Sequence, residues 1–191
     1  MAGDAPPGFS GDGGPAVSAR LNSPIGIVLD ASGDIYIADS VNRVIRKITK
    51  SSGNISTVAG ISGDSGYSGD GGFATSAKFV EPYDVALDAS GNVYIADASS
   101  CVIRKITSSS GYISTVAGIN TEYGYNGDGG FAISAKLNFP LGVALDLSGN
   151  IYIADTRNHI IRMISKLTGN ISTVAGIPME YGYSGNGGPA T

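Results

Sequence analysis

The 191-residue chain has one cysteine, Cys101, one histidine, His159, and no run of 18 apolar residues. A single cysteine excludes an internal disulfide framework and leaves the redox compartment undecided. One imidazole provides neither a histidine ligand set nor an evident general base, so no cofactor is expected. Without a long apolar run there is no transmembrane helix, and Met1-Ala2-Gly3-Asp4 lacks the charged and apolar regions of a signal peptide. No membrane partner is expected. Basic clusters are missing too: net charge is −4 and Lys and Arg never form a run. Nucleic acid is disfavoured as a partner, because phosphate binding needs a clustered basic footprint.

What the chain does have is repetition. Ile35-Tyr36-Ile37-Ala38-Asp39 recurs at Val93–Asp97 and Ile151–Asp155, a constant step of 58 residues. Ile55-Ser56-Thr57-Val58-Ala59-Gly60 recurs at Ile113–Gly118 and Ile171–Gly176, and Ser10-Gly11-Asp12-Gly13-Gly14 recurs near Ser68, Asn126 and Ser184. A unit of this size cannot bury a core alone, so the units must stack. The 29 glycines fit a turn-rich β protein rather than disorder, because they keep the period.

Each unit reads as four short strands and a long loop. In the first, Pro24 precedes the apolar strand Ile25-Gly26-Ile27-Val28-Leu29-Asp30. A turn at Ala31-Ser32-Gly33-Asp34 leads to Ile35-Tyr36-Ile37-Ala38, then Val44-Ile45-Arg46-Lys47-Ile48-Thr49 and Ile55-Ser56-Thr57-Val58-Ala59. Connections of four or five residues imply sequential antiparallel pairing, a four-stranded meander. The whole chain is read as one domain, with strands at about 24–60, 82–118 and 140–176. Gly-rich loops fill about 8–23, 61–81 and 119–139, with a partial copy at 177–191. Phe73-Ala74-Thr75-Ser76-Ala77-Lys78-Phe79 suggests one or two turns of helix, with Pro15 at a helix N1 position in the first copy. The loops are expected to pack on neighbouring units.

The combination Pro140-Leu141-Gly142-Val143-Ala144-Leu145-Asp146, Gly149-Asn150-Ile151-Tyr152-Ile153-Ala154-Asp155 and Asn158-His159-Ile160-Ile161-Arg162 resembles the NHL repeat. Thr173-Val174-Ala175-Gly176 with the Ser-Gly-Asp-Gly-Gly pattern is similar to the long-repeat NHL arrays of bacteria. The resemblance implies an all-β protein, a β-propeller of four-stranded antiparallel blades with three blades per chain, and commonly six blades per ring. It does not imply a function, because propellers serve as enzymes, receptors and scaffolds alike. Three blades cannot close a ring, and an open array exposes the apolar faces of its first and last blades. The expected partner is therefore the chain itself, as a homodimer of half-rings. The chain starts and ends within copies of the loop, the framing of a piece cut from a longer array or of a unit that assembles with itself.

Several repeated residues invite a chemical reading. Asp39, Asp97 and Asp155 close the second strand, where Asp caps a turn. Arg46, Arg104 and Arg162 suit inter-blade salt bridges or packing of their stems. Asp12, Asp70 and Asp128 lie in Gly-Asp-Gly-Gly, with Asn186 in the fourth copy. They are a possible calcium set, but the further oxygen ligands and terminal Glu of a calcium loop are missing, and a loop cap is preferred. Phe9, Tyr67, Tyr125 and Tyr183, with the extra Tyr123 and Tyr181, form either a binding surface on the loop face or anchors onto the next blade. Arg43, Cys101 and His159 share one position, read as a partly exposed strand start. Asn54-Ile55-Ser56 and Asn170-Ile171-Ser172 match glycosylation acceptors and are also ordinary turn-to-strand junctions.

Departures from the repeat are the better guide to function. Glu81 and Tyr83-Asp84 stand where the other units have Ser23 or Phe139, and Ile25-Gly26 or Leu141-Gly142. Asp84 is the leading candidate for a polar group facing the central channel. The expectation is a non-enzymatic scaffold or interaction module that assembles into a closed ring. The competing reading is a metal-dependent hydrolase or lyase using Asp84 with other carboxylates in the channel.

Overall fold

The computed structural model describes residues 8–182, together with 188 and 190. Among these residues lie three four-stranded antiparallel meanders, the blades of a β-propeller. The first comprises β1 (Pro24–Leu29), β2 (Ile35–Asp39), β3 (Val44–Thr49) and β4 (Asn54–Ala59). The second comprises β5 (Pro82–Leu87), β6 (Val93–Asp97), β7 (Val102–Ile106) and β8 (Ile113–Ala117). The third comprises β9 (Pro140–Leu145), β10 (Ile151–Asp155), β11 (Ile160–Ile164) and β12 (Ile171–Ala175). Local chemistry makes the meander: Asp30 Oδ1 accepts the N–H groups of Ser32 and Asp34, which folds the chain back after β1. Asp88 does the same for Ser90 and Asn92 after β5.

Side chains alternate across each blade, so one blade contributes to two cores. Val93 and Ile95 of β6 join Ala38, Ile45 and Ala59 of the first blade. Tyr94 and Ala96 of the same strand join Val143, Ile151 and Ile153 of the third. The inner strands set the spacing. β5 packs on β1 and β2, and β9 packs on β5 and β6. The approach at Gly26 is so close that an added Cβ would lie 2.5 Å from Asp84 Cα, which only a residue without a side chain allows.

The long loops staple one blade to the next. Gly71 N–H donates to Ile113 C=O, Ile113 N–H to Gly72 C=O and Ala74 N–H to Gly111 C=O, at 2.8, 2.9 and 2.9 Å. The Ala74 carbonyl in turn accepts the Gly60 N–H at the end of the preceding blade, at 2.9 Å. The same bonds join the loop at Gly129, Gly130 and Ala132 to Ile171 and Gly169, and Gly118 to Ala132. The expected helix in these loops is a single three-residue 3-10 turn, at Ala16–Ser18, Ala74–Ser76 and Ala132–Ser134. Pro15 precedes the first of these turns with an extended ψ of 128° and is not its first helical residue. The turn stops at Ala77, which is extended, and Phe79 just beyond it is fully buried in the seam. Tertiary packing overrides the helix propensity of this alanine-bearing segment.

Arg43, Cys101 and His159 are corrected in the same way. Each sits in the left-handed region, with φ of 61°, 57° and 60°, in the turn before the third strand of its blade and not on the strand. Cys101 is buried, whereas His159 is exposed.

Candidate functional site

The repeated charges form a clamp between each loop and the blade that follows it. Arg104 on β7 is fully buried. Its Nη1 donates to Lys78 C=O at 2.9 Å, and its Nη2 donates to Ser68 C=O at 2.8 Å and Asp70 Oδ1 at 2.6 Å. One guanidinium thus ties both limbs of the loop to the strand. Asp70 Oδ2 accepts the Thr115 N–H at 2.8 Å, and the Tyr67 hydroxyl meets Thr115 Oγ1 at 2.7 Å. Burial works to raise the Asp70 carboxyl, but Arg104 and the Thr115 N–H outweigh it and hold it below its ordinary range. Arg162, Asp128, Tyr125 and Thr173 repeat the arrangement. In the first blade, Arg46 meets Asp12 at 2.6 Å, with Phe9 under its guanidinium. Tyr183 and Asn186 lie outside the described residues.

The carboxylates that close β2, β6 and β10 are fully buried. Asp97 accepts the N–H groups of Val80 and Glu81 and the Ser100 hydroxyl. Asp155 accepts the Asn138 N–H and the Asn158 side chain. Burial pushes the Asp39, Asp97 and Asp155 carboxyls above their ordinary value, with these hydrogen bonds in partial opposition. Among the described residues, no group of three or more His, Cys, Asp or Glu is placed to hold a metal ion. Asn54 and Asn170 use their side-chain amides on the carbonyls of Gly13 and Gly129.

Asp84 lies on β5, half-buried, between the glycines that hold the same position in the neighbouring blades. Its Oδ2 accepts the Val143 N–H across the seam at 3.0 Å, and its Oδ1 accepts the Val85 N–H at 2.9 Å. The carboxylate therefore caps the inner edges of two adjacent blades. The other departures gather close by. The Tyr83 and Phe139 rings meet at 5.9 Å, Arg157 lies 4.1 Å over Phe139, and Glu81 accepts the Ser99 hydroxyl at 2.6 Å. The sequence marks Glu81, Tyr83 and Asp84 as unlike their counterparts but does not bring Phe139 and Arg157 to them, since these come from a different unit.

Equivalent positions differ sharply in exposure on the two outer blade faces. Val85 and Val143 are 3% and 6% exposed at the internal seams, whereas their counterpart Ile27 on β1 is 61% exposed. Ile45 and Ile103 are completely buried, whereas their counterpart Ile161 on β11 is 38% exposed. Beside Ile161 is an open cavity of about 310 Å³, lined by Ala154, His159, Ala175 and Gly176 among others. The repeat count implies apolar end faces but not this cavity, whose signal in the sequence is Leu21, Phe79 and Leu137, an apolar residue three places before each blade's first proline.

The Teneurin NHL domain model matches residues 6–65 and 60–126, and the NHL repeat model matches 137–162. Teneurin-3 of Mus musculus is 34% identical over 185 residues, which cover 89% of this chain and 6% of that protein. NHL repeat-containing protein 2 of Bos taurus is 30% identical over 108 residues, which cover 52% of this chain and 15% of that protein. A crystal structure of a protein of unknown function from Bacteroides thetaiotaomicron superposes with a TM-score of 0.62 at 23% identity, covering 73% of this chain and 35% of that one. The chain thus spans a small part of the curated relatives it matches.

Proposed function

Since this chain belongs to the NHL-repeat family of β-propeller proteins, we propose that it is a non-enzymatic interaction scaffold whose two outer blade faces join head to tail with a second copy to close a ring. An NHL propeller is consistent with a protein-interaction module, and the self-association is the finer step. The observation that carries it is the pair of contrasts at Ile27 and Ile161: the same repeat positions are buried inside the chain and exposed, at 61% and 38%, on its first and third blades. Burying a side chain of this size contributes roughly 1.5–3 kcal/mol, so two such seams give a strong drive to associate. The two faces are complementary in kind, because within the chain one already packs against the other twice. A head-to-tail contact closes or extends according to its rotation, and two sets of three blades match the six-bladed ring common in this family.

Light scattering with size-exclusion chromatography tests the reading: a monodisperse species of twice the 19.3 kDa chain mass supports it, and a single-chain mass at high concentration contradicts it. The competing metal-enzyme reading needs carboxylates free to bind. Instead, Asp70 and Asp128 are occupied by arginine and backbone N–H groups, and Asp84 by two backbone N–H groups. Elemental analysis free of bound metal, with a melting temperature unmoved by chelator, is the expected result.

A further inference from the structure

Resting on the head-to-tail reading above, we propose that the joint between copies is a plug and socket, in which Leu21 of one copy enters the open cavity beside Ile161 of the other. At both internal seams the residue three places before the first proline of a blade, Phe79 or Leu137, is fully buried. Phe79 shares a core with Ala38, Ile45 and Ala59 of the preceding blade. Its ring lies so close to Gly60 that an added Cβ there would be 3.1 Å from Phe79 Cδ2. Leu137 shares a core with Ala96, Ile103 and Ala117. The counterparts of these socket residues in the third blade are Ala154, Ile161 and Ala175, and they line the cavity of about 310 Å³. Among the described residues, no counterpart of Phe79 or Leu137 fills this socket.

The matching plug is already formed on the first blade. Leu21 and its neighbours Ala16 and Ala19 are only partly buried, whereas Ala74, Ala77 and Phe79 at the same positions are buried. Its segment is held in the same conformation as the internal copies, by Gly13 and Ile55, by Ala16 and Gly53, and by the Asn22 N–H on Asp39. One backbone exchange goes with closure. Gly60 and Gly118 donate to Ala74 and Ala132, and Gly176 donates to Ala190, the same repeat position. In the joint, Ala16 of the incoming copy takes the place of Ala190, one hydrogen bond for another of the same kind, so the apolar plug decides the outcome.

Sedimentation of the 191-residue chain and its variants tests the assignment, with circular dichroism confirming that each variant is folded. Leu21→Asp and Ile161→Asp are each expected to weaken association by about 30-fold or more, because each buries an unpaired carboxylate in an apolar seam. Leu21→Phe is expected to retain it, since Phe79 fills the same socket within the chain. The exposed Leu167→Asp is the control and is expected to change nothing. An equimolar mixture of Leu21→Asp and Ile161→Asp chains is expected to associate more tightly than either alone, because one intact plug meets one intact socket. Wild-type association that Leu21→Asp leaves unchanged overturns the plug but not the ring. A mixture no tighter than its components overturns the head-to-tail register. A wild-type chain that stays single at every concentration overturns the ring and the plug together.

Discussion

At the residue scale the repeated guanidinium is the center of each unit. Arg104 has no exposed surface and satisfies two loop carbonyls and one carboxylate. Arg104→Met keeps much of the stem but removes the donor to the Lys78 carbonyl and to Asp70 Oδ1, leaving Ser68 C=O only the Lys78 N–H and Asp70 only its Oδ2 contacts. We expect a loss of about 2–4 kcal/mol in chemical denaturation, the range for breaking a buried charged network on one side. The acid response follows from the partner carboxylates. Asp70 and Asp128 are held below the ordinary carboxylate value in the folded chain, so their stabilisation is present above the unfolded value and is lost as pH falls through it toward the folded value. Asp39, Asp97 and Asp155 are raised and act with the opposite sign: protonating them relieves a cost. Asp70→Asn is therefore expected to flatten the loss of stability below about pH 4, measured by denaturation at a series of pH values. An acid slope as steep as that of the wild type would contradict the role given to Asp70.

At the element scale the loop acts as a fifth edge. The outermost strands β4, β8 and β12 would present open backbone to solvent, a liability in β proteins, but the Gly-Gly pair of each loop bonds to Ile55, Ile113 and Ile171. Hydrogen exchange is expected to show the amides of Ile113 and Ile171 protected to the degree of the inner strands, and exchange at the rate of exposed loops would contradict the staple. The strands themselves are legible in the sequence, because turn residues such as Asp30 and Gly33 recur at a fixed step and β-branched runs lie between them. The 3-10 turn is not. Ala74-Thr75-Ser76-Ala77 has the local composition of a helix start, and only the need to bring Ala77 and Phe79 into the seam ends it after three residues. Asp84 is likewise half legible. Its oddness among glycines shows in the sequence, but its bond to Val143, 59 residues away, depends on how closely β5 and β9 approach.

At the scale of the whole molecule, each internal seam states what the outer faces lack. Ile27 and Leu29 on one side, and Ile161 with its cavity on the other, are the two halves of a contact that the chain already makes twice. The repeat count makes apolar end faces legible in the sequence, whereas the equivalence of Leu21 with the buried Phe79 and Leu137 gains meaning only once the seams are in place. Sedimentation equilibrium of the unmodified chain over a range of concentrations decides whether two copies close the ring. A reversible shift from one chain mass of 19.3 kDa to two is expected, with no larger species once the ring is closed. A single-chain mass throughout, or open-ended growth without a two-chain plateau, would contradict it.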